Sequence, residues 1–154
     1  MVDRLLIRTD GASRDNPGPA SAGAVLIDAE RPDATAIDAP PLSVVSRPLG
    51  IQTNNVAEYT GLLLALKEAQ RLGAHDIDLR LDSKLIVEQL HGRWRVKDAK
   101  LKPLYAEAME LLSGFERWNA THELRASNKA ADALANLALD DPAAAARLEA
   151  RYRS

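Results

Sequence analysis

Short apolar runs separated by turn residues fill the first third of the chain. Residues 4–10 form the first run, and the glycines and prolines within 11–19 are typical of turns, so we expect a strand that ends near Asp10. Two further apolar runs, at 22–27 and 42–49, predict two more strands. Because the three strands follow one another closely, the pattern favours an antiparallel meander.

The spacing of apolar residues changes to a helical period after residue 55. Apolar side chains between 55 and 69 fall on one face, and we expect this helix to stop at Gly73. Residues 76–82 alternate between polar and apolar side chains and predict a strand, and 83–90 predict a short helix after it. The chain therefore passes from hairpins to strand–helix units.

The remaining third predicts two helices around one strand. Pro103 suits the first turn of a helix that runs to about Phe115, residues 118–124 fit a last strand, and 128–139 fit a last helix. The alanine-rich segment 141–154 is expected to be a tail or a short helix. We therefore expect one domain over residues 1–140 with this segment appended.

These elements together predict an α/β fold with a mixed five-stranded sheet and helices on both faces. The three N-terminal strands would be antiparallel, and strands joined through a helix would be parallel. In such sheets the functional site lies beyond the carboxyl ends of the parallel strands. Asp10 and Asp82 end two of the predicted strands, so we expect a site near them.

Composition narrows the class of protein. The 154 residues are 46% hydrophobic and 27% charged, as in one globular domain with a core. The chain has no cysteine, which excludes disulfides and thiolate metal sites and favours a reducing compartment. The apolar runs are too short to span a bilayer, and the N-terminus lacks a signal-peptide pattern, so a cytoplasmic protein without membrane contact is expected.

The charge of the chain gives two opposing indications. A net charge of −2 argues against a nucleic-acid partner, since phosphate binding usually requires a basic surplus. The net charge becomes positive, however, if four of the acids are set aside as metal ligands. Residues 93–102 also carry a local charge of +4, with five basic residues and one acid: Arg93, Arg95, Lys97, Lys100, Lys102 and Asp98.

Four acids are candidate metal ligands, and each also has a structural explanation. Asp10 could be a turn residue, and Glu58 could complete a capping box begun by Asn55. Asp82 could cap the helix that follows it, and Asp132 could stabilise the first turn of the last helix. The predicted fold nevertheless brings all four toward one edge of the sheet, which structural needs do not require. Paired divalent cations do require such a cluster of oxygen ligands.

The sequence around these acids resembles the four acidic motifs of the type 1 ribonuclease H family. The motifs are Thr9-Asp10-Gly11-Ala12-Ser13 with Asn16-Pro17-Gly18-Pro19, Thr53-Asn54-Asn55-Val56-Ala57-Glu58, Leu81-Asp82-Ser83, and Asn128-Lys129-Ala130-Ala131-Asp132. Each motif is weak alone, but four in this order on matching elements are specific. The resemblance extends over roughly residues 5–139.

The resemblance implies a ribonuclease H-like fold and hydrolysis of the RNA strand of RNA–DNA hybrids, giving 5′-phosphate and 3′-hydroxyl ends. It implies two Mg²⁺ ions, for which Mn²⁺ would substitute. Asp10 would bridge the ions, Glu58 and Asp82 would complete one coordination shell, and Asp132 would belong to the other. One ion would activate the attacking water and the other would stabilise the leaving 3′ oxygen. A monomer without an obligatory protein partner is expected.

The resemblance also implies substrate contacts, which must distinguish RNA from DNA through the 2′-hydroxyl. Glu58 and the backbone of Gly11, Ala12 and Ser13 would contact 2′-hydroxyls on the RNA strand. Asn16, Asn54 and Asn55 would contact the DNA strand, and Thr53 would lie near a DNA phosphate. Asn16 as a plain turn residue and Asn55 as a helix cap remain equally open, since turn and cap chemistry explain both positions.

Many family members carry a long basic helical protrusion, and this sequence departs from them. Only the short basic loop at 90–103 lies between the two predicted helices, so Arg93, Arg95 and Lys97 would contact the substrate instead. Trp94 could stack on a sugar or pack inward, and an isolated tryptophan more often packs. We expect modest affinity with a strong dependence on salt.

A second departure concerns the residue that assists product release. Many members place a histidine in the loop before the last helix. His122 alternates with the neighbouring strand residues and is expected to lie within the strand, whereas Arg125 resembles the arginine of members that lack the loop histidine. A guanidinium can hold a phosphate without acting as a base, so we assign this role to Arg125.

Two other functions remain open from sequence alone. A binding module could keep the fold without the chemistry, although the presence of all four acids argues against it. A DNA-cutting relative would share the metal ions but not the substrate, and the asparagines at positions 16, 54 and 55 favour the hybrid instead.

Overall fold

The computed structural model describes residues 2–153. Met1, the first residue of the predicted domain 1–140, and Ser154, the last residue of the segment 141–154, lie outside the described residues. A five-stranded sheet forms the centre of the fold, with the order β3-β2-β1-β4-β5. Its strands are β1 (Arg4–Ser13), β2 (Gly18–Asp28), β3 (Ser43–Gln52), β4 (Asp76–Leu81) and β5 (Arg117–His122). The helices are α1 (Asn54–Arg71), α2 (Lys84–Leu90), α3 (Lys102–Ser113), α4 (Lys129–Asp140) and α5 (Pro142–Arg153), with a 3-10 turn at Arg125–Asn128.

The pairing of the strands confirms the predicted mixed sheet. β1–β2 and β2–β3 are antiparallel, whereas β1–β4 and β4–β5 are parallel. Leu5 and Ile7 of β1 pack in the larger core cluster with α1, α2 and α3, and Leu6 points to the other face with Leu134 of α4. Alternation along β1 thus directs apolar side chains to helices on both sides.

The first strand does not end near Asp10, as the turn residues after it suggested. β1 continues to Ser13 because its antiparallel pairing with β2 extends to Ser13 opposite Ala20. Its parallel pairing with β4 stops earlier, at Thr9 opposite Leu81. Asp10 therefore lies inside a strand, yet it is the first residue of β1 beyond the end of β4.

The helix caps differ from two of the structural explanations offered for the acids. Thr53, rather than Asn55, caps α1, and its Oγ1 accepts a hydrogen bond from the Val56 N–H at 3.3 Å. Ser83, rather than Asp82, caps α2 by accepting from the Ile86 N–H at 3.3 Å. Glu58 and Asp82 are therefore not needed for capping. Gly73 follows the end of α1 with a φ of +79°, in agreement with the predicted stop.

Most of the segment expected to be a tail or a short helix forms helix α5 (Pro142–Arg153), which packs against β3 and α4. Ala145 is fully buried, and the buried carboxylate of Glu149 accepts hydrogen bonds from the Ser46 N–H at 2.8 Å and from Arg47 at 2.9 Å. Between α2 and α3 the chain forms a loop with no helix of its own. Within residues 2–153, no helix combines the length and apolarity needed to span a membrane.

Candidate active site

Three of the four predicted acids meet at the edge of the sheet. One carboxylate oxygen each from Asp10, Glu58 and Asp82 lies within 4.8 Å of the other two. Asp10 comes from β1, Asp82 follows directly after β4, and Glu58 lies near the start of α1. The parallel pairing of β1 with β4 fixes the first two beside each other, and α1 adds the third from one face of the sheet.

Gly11 explains how α1 comes so close to β1. A Cβ atom at Gly11 would lie 2.3 Å from the carbonyl oxygen of Ala57, a distance that real atoms cannot adopt. The backbone of α1 therefore rests directly on the backbone of β1. This contact places Glu58, the next residue of the helix, against Asp10.

Asp132 reaches the site from the opposite face of the sheet. It lies in the first turn of α4 beside Asp10, although it is not among the acids that share the 4.8 Å distance. A Cβ atom at Gly23 of β2 would lie 2.2 Å from the Ala131 carbonyl oxygen, so α4 also rests on strand backbone. The Asn128 amide donates to the Thr9 carbonyl at 2.8 Å and fixes the start of α4 next to Asp10.

The acids are crowded enough to resist ionisation. Burial, the largest cause, and the neighbouring carboxyl groups of Asp132, Asp82 and Glu58 together raise the pKa of Asp10 to about 7. Burial also raises the pKa of Glu58 to about 7 with help from Asp82, although Ser83 and Arg125 partly oppose the rise. A compensating positive charge at this position would relieve the cost of ionising both groups.

The donor set fits a divalent cation. Oδ2 of Asp10 is buried and has no hydrogen-bond partner among residues 2–153, so it is an oxygen donor left for a ligand. The surrounding donors are carboxylate oxygens, which Mg²⁺ and Mn²⁺ prefer. Neither cysteine nor histidine belongs to this group of three.

Arg125 faces the acids, whereas His122 does not. Arg125 lines a cavity of about 440 Å³ together with Asp10, Glu58 and Asp82, and its guanidinium lies 3.8 Å from Asp132. The Arg125 side chain is 80% exposed, so it is free to meet a ligand in this cavity. His122 is the last residue of β5, which agrees with the prediction that it lies within the strand.

The predicted hybrid-binding polar residues form a network of their own. Asn54 Oδ1 accepts from the Ser13 N–H at 2.8 Å, and the Asn54 N–H donates to Asn16 Oδ1 at 3.1 Å. Thr53 serves as the cap of α1. This network ties the β1–β2 turn to the start of α1, and Gly11, Ala12, Ser13 and Asn54 line the same 440 Å³ cavity as the acids.

The basic loop forms a groove beside the site. A cavity of about 700 Å³ is lined by Asn55 of α1 and by Trp94, Arg95 and Lys97 of the loop. Trp94 is 44% exposed with Lys84 Nζ 5.9 Å from its ring centre, so it is partly buried and does not lie in the core. Arg95 and Lys97 form no ion pair within residues 2–153.

Arg93 differs from the other two basic residues predicted to contact substrate. Its guanidinium is paired with the Glu88 carboxylate of α2, which is outside the loop whose charge was counted from sequence. This pairing offsets one of the loop's positive charges. The free charge of the groove therefore comes from Arg95 and Lys97 more than from Arg93.

Two residues that position the acids were not identified from sequence. Gly23 lies in an apolar run that only indicated a strand, and Asn128 was interpreted as the start of a helix. The close approach of α4 to β2 could not be inferred without knowing which helix covers which strand. A glycine inside a strand is nevertheless a known sign of close backbone contact, and that signal was available.

Comparison with known proteins gives matches over most of the chain. A family model described as reverse transcriptase-like matches residues 8–138. Ribonuclease HI of Halobacterium salinarum is 46% identical over 132 residues, which are 86% of this chain and 62% of the relative. A bifunctional protein of Mycobacterium tuberculosis is 44% identical over 147 residues, which are 96% of this chain but only 38% of that protein.

Solved structures agree with these matches. The crystal structure of ribonuclease H1 from Halobacterium salinarum superposes with a TM-score of 0.81 at 45% identity and covers 90% of this chain and 98% of that one. LC11 ribonuclease H1, solved in complex with an RNA/DNA hybrid, gives a TM-score of 0.80 at 34% identity and covers 90% and 98% of the two chains. The mixed five-stranded sheet with its helices is consistent with these matches. The chain therefore belongs to the type 1 ribonuclease H family.

Proposed function

We propose that the chain hydrolyses the RNA strand of RNA–DNA hybrids. The observation that carries the proposal is the convergence of Asp10, Glu58 and Asp82 within 4.8 Å at the sheet edge, with Asp132 beside them. Crowded carboxylates raise one another's pKa and destabilise a fold, so such a cluster is costly unless it is used. The similar protein LC11 ribonuclease H1 was solved in complex with an RNA/DNA hybrid, which supports the same substrate for this chain.

We further propose that Asp10, Glu58, Asp82 and Asp132 hold two Mg²⁺ ions. Asp10, Glu58 and Asp82, which lie within 4.8 Å of one another, would hold one ion, and Asp132 with its neighbour Asp10 would hold the second. When bound, the ions would supply activation of water and stabilisation of charge on the leaving oxygen, giving 5′-phosphate and 3′-hydroxyl ends. Mn²⁺ has the same preference for oxygen donors and would substitute.

The protein's own residues orient the substrate around this cluster. Arg125 carries a fixed positive charge at the rim of the 440 Å³ cavity, where it would hold the scissile phosphate or the departing 5′-phosphate. The backbone of Gly11, Ala12 and Ser13 lines the same cavity and offers polar groups to the 2′-hydroxyls of the RNA strand. No side chain needs to act as a nucleophile.

The DNA strand would occupy the 700 Å³ groove next to the cluster. Asn55, Arg95 and Lys97 line this groove, and the exposed ring of Trp94 offers a surface for stacking on a sugar. Arg93 would contribute less because it is paired with Glu88. Asn16, Asn54 and Thr53 would act mainly by fixing the turn and the helix start that border the substrate, and one chain would suffice for binding.

A substrate panel tests the proposal. Labelled RNA–DNA hybrid, DNA duplex, RNA duplex and single strands would be incubated with the protein and Mg²⁺, with and without EDTA, and beside the Asp10→Asn variant. Cleavage confined to the RNA strand of the hybrid, abolished by EDTA and by the substitution, is the expected result. Cleavage of DNA duplex would favour the DNA-cutting alternative, and hybrid binding without cleavage would favour a binding module.

A further inference from the structure

Arg8 is a buried charge in the middle of an apolar strand. It follows Leu5, Leu6 and Ile7 in β1 and is 3% exposed. A buried guanidinium is costly unless it is paired and hydrogen-bonded. Its Nε donates to Glu123 Oε1 at 2.8 Å, and its Nη2 donates to the Thr35 carbonyl at 3.1 Å.

Glu123 is held by a second arginine as well. Arg80 of β4 donates to Glu123 Oε2 at 3.2 Å and also pairs with Asp78 at 3.1 Å. Although burial alone would raise the pKa of Glu123, the hydrogen bonds and charges of Arg8 and Arg80 hold it below its usual range. The backbone N–H of Glu123 donates to the Leu81 carbonyl at 2.8 Å. The residue is therefore fixed to both β1 and β4.

Glu123 connects this network of ion pairs to the candidate active site, because it lies close to Arg125 in the chain. Glu123 directly follows β5 and stands two residues before Arg125. At the other end of the 3-10 turn, Asn128 is fixed to the Thr9 carbonyl. Between the two fixed residues, the side chains of Leu124 and Arg125 are mostly exposed. The turn is thus attached at both ends to the two β1 residues that precede Asp10.

A rigid attachment matters because Arg125 has little else to hold it. Its only ion pair within the described residues is the 3.8 Å contact with Asp132, and its side chain is 80% exposed. An arginine on a mobile turn would lose side-chain and backbone freedom each time it held a phosphate. An arginine on a fixed turn starts close to the geometry that it needs.

We propose that Glu123 is a positioning residue, which through its ion pairs with Arg8 and Arg80 holds the turn that presents Arg125 to the scissile phosphate. The inference rests on the role of Arg125 in the proposed function. Glu123 itself makes no contact with substrate. Its effect should therefore appear in turnover and should vanish when Arg125 is absent.

A double-mutant cycle tests this inference. Hybrid cleavage with Mg²⁺ would be measured for Glu123→Ala, Glu123→Gln, Arg125→Ala and the double variant Glu123→Ala/Arg125→Ala, with kcat and KM determined separately and Tm recorded for each. Glu149→Ala is the matched control, because Glu149 is also a buried carboxylate paired with an arginine but lies on α5, where it contacts Arg47 and Ser46 of β3.

We expect Glu123→Ala to lower kcat about fivefold or more with KM changed less than about twofold, and the double variant to be no slower than Arg125→Ala. Glu123→Gln should recover part of the loss, because its amide oxygen can still accept from Arg8. Glu149→Ala should lower Tm and leave kcat unchanged. If Glu123→Ala does not fold, the same cycle is run with Glu123→Gln, for which a smaller loss with the same non-additivity is expected.

Two results would overturn the inference while leaving the proposed function intact. One is an unchanged kcat in both Glu123 variants beside a slow Arg125→Ala. The other is a double variant whose loss is the product of the two single losses, because Glu123 would then act independently of Arg125. A normal kcat in Arg125→Ala would instead remove the role of Arg125, and the inference would fail with it.

Discussion

Asp10 is the residue on which the electrostatics of the site depend most. It is 7% exposed, it neighbours three other acids, and one of its oxygens lacks a protein partner. Burial and repulsion together raise its pKa to about 7. In the absence of a cation, the folded state therefore disfavours the ionised form that the unfolded state has at neutral pH.

Asp10→Asn should abolish hydrolysis and make the metal-free protein more stable. A raised folded-state pKa means that the wild type loses stability as pH rises from about 4 to about 7, and the asparagine variant lacks this loss. We expect a gain of about 1–4 kcal/mol in the free energy of unfolding at pH 8, which shrinks as pH falls to 5. Denaturant unfolding in EDTA at both pH values measures the gain.

Asp78→Asn is a suitable control for this experiment, because it removes an acid that is paired with Arg80 rather than crowded by other acids. It should give no comparable gain at pH 8. Near-normal cleavage by purified Asp10→Asn would contradict the proposed mechanism, whatever the stability result.

Arg125→Ala should lower turnover at least about tenfold, the loss expected from removing roughly 1.4 kcal/mol of assistance to the transition state or to product release. His122→Ala should cost much less, because His122 is the exposed last residue of β5 and does not line the 440 Å³ cavity. Steady-state cleavage of a hybrid by the two variants is the measurement. A slow His122→Ala beside a normal Arg125→Ala would reverse the assignment.

At the residue scale, acids were easier to predict than the residues that support them. Asp10, Glu58, Asp82 and Asp132 stand in motifs that can be compared with a family. Arg8 is a charged residue within an apolar strand, and such a residue needs a partner of opposite charge when it is buried. Its partner Glu123 is 115 positions away, and no local sequence pattern connects the two residues. Long-range pairing of this kind requires the fold.

At the scale of elements, the site depends on two helices that rest directly on strand backbone. Gly11 lets α1 approach β1, and Gly23 lets α4 approach β2 from the other face. Each contact sets the distance of one acid from Asp10: Glu58 for α1 and Asp132 for α4. A side chain at either glycine would therefore move an acid as well as disturb packing.

Gly23→Ala should lower the stability of the protein and weaken the contribution of Asp132 to Mg²⁺ binding. The added Cβ would lie 2.2 Å from the Ala131 carbonyl oxygen, so α4 must shift outward. Overpacking of this kind costs about 1–3 kcal/mol, and we expect Tm to fall by roughly 2–12 °C. Thermal unfolding and the Mg²⁺ dependence of cleavage measure the two effects.

Gly92→Ala provides a comparison for Gly23→Ala. Gly92 has a positive φ of 75°, and no neighbouring atom lies within 4 Å of the position that a Cβ would take, so alanine there strains the backbone without moving α4. It should lower Tm without changing the Mg²⁺ dependence. An unchanged Mg²⁺ dependence in Gly23→Ala would show that Asp132 does not need the close approach.

The basic loop should supply the salt dependence of hybrid binding. Replacing Arg95 and Lys97 with alanine removes two unpaired charges from the groove, and the slope of log affinity against log salt should flatten by about 1–2, with turnover of bound substrate little changed. Adding Arg93→Ala should change the slope less, because Arg93 is paired with Glu88. Fluorescence titrations at several salt concentrations give the slopes.

The matching control replaces Arg147 with alanine, because Arg147 is an exposed basic residue on α5 that forms no ion pair within residues 2–153 and lies away from the groove. This substitution should leave the slope unchanged. An equal slope for the wild type and the Arg95/Lys97 variant would show that the hybrid binds elsewhere.

Most helices and strands were predictable, and their ends were less so. The helical period and Gly73 indicated α1 well, and alternation indicated β4. The end of β1 was predicted too early because turn residues at 11–19 suggested a loop, whereas pairing with β2 carries the strand on to Ser13. Strand ends depend on a neighbouring strand, and local sequence does not contain that neighbour.

At the scale of the whole molecule, metal binding should be linked to pH. The pKa values of Asp10 and Glu58 are both raised to about 7, and protons compete with a cation for the same oxygens. We therefore expect Mg²⁺ to raise Tm more at pH 8 than at pH 6, and half-maximal stabilisation to need less Mg²⁺ at pH 8. Thermal unfolding across a Mg²⁺ series measures this.

The Asp10→Asn variant supplies the reference for this series, since it should lose most of the Mg²⁺-induced rise in Tm at both pH values. Equal Mg²⁺ dependence at pH 6 and pH 8 in the wild type would contradict the raised pKa values. A full Mg²⁺ response in the variant would place the ion at other residues.

Helix α5 also affects whether copies of the protein can associate through the β3 edge of the sheet. An uncovered strand edge is a template on which a strand of another molecule can add, which leads to aggregation. The Ser46 N–H of β3 is already bonded to Glu149, and Pro48 further along that strand has no N–H to offer. Helix α5 thus hinders the addition of a strand from another molecule at the β3 edge. A chain truncated before α5 would keep all four acids of the site, and its exposed β3 edge would favour aggregation.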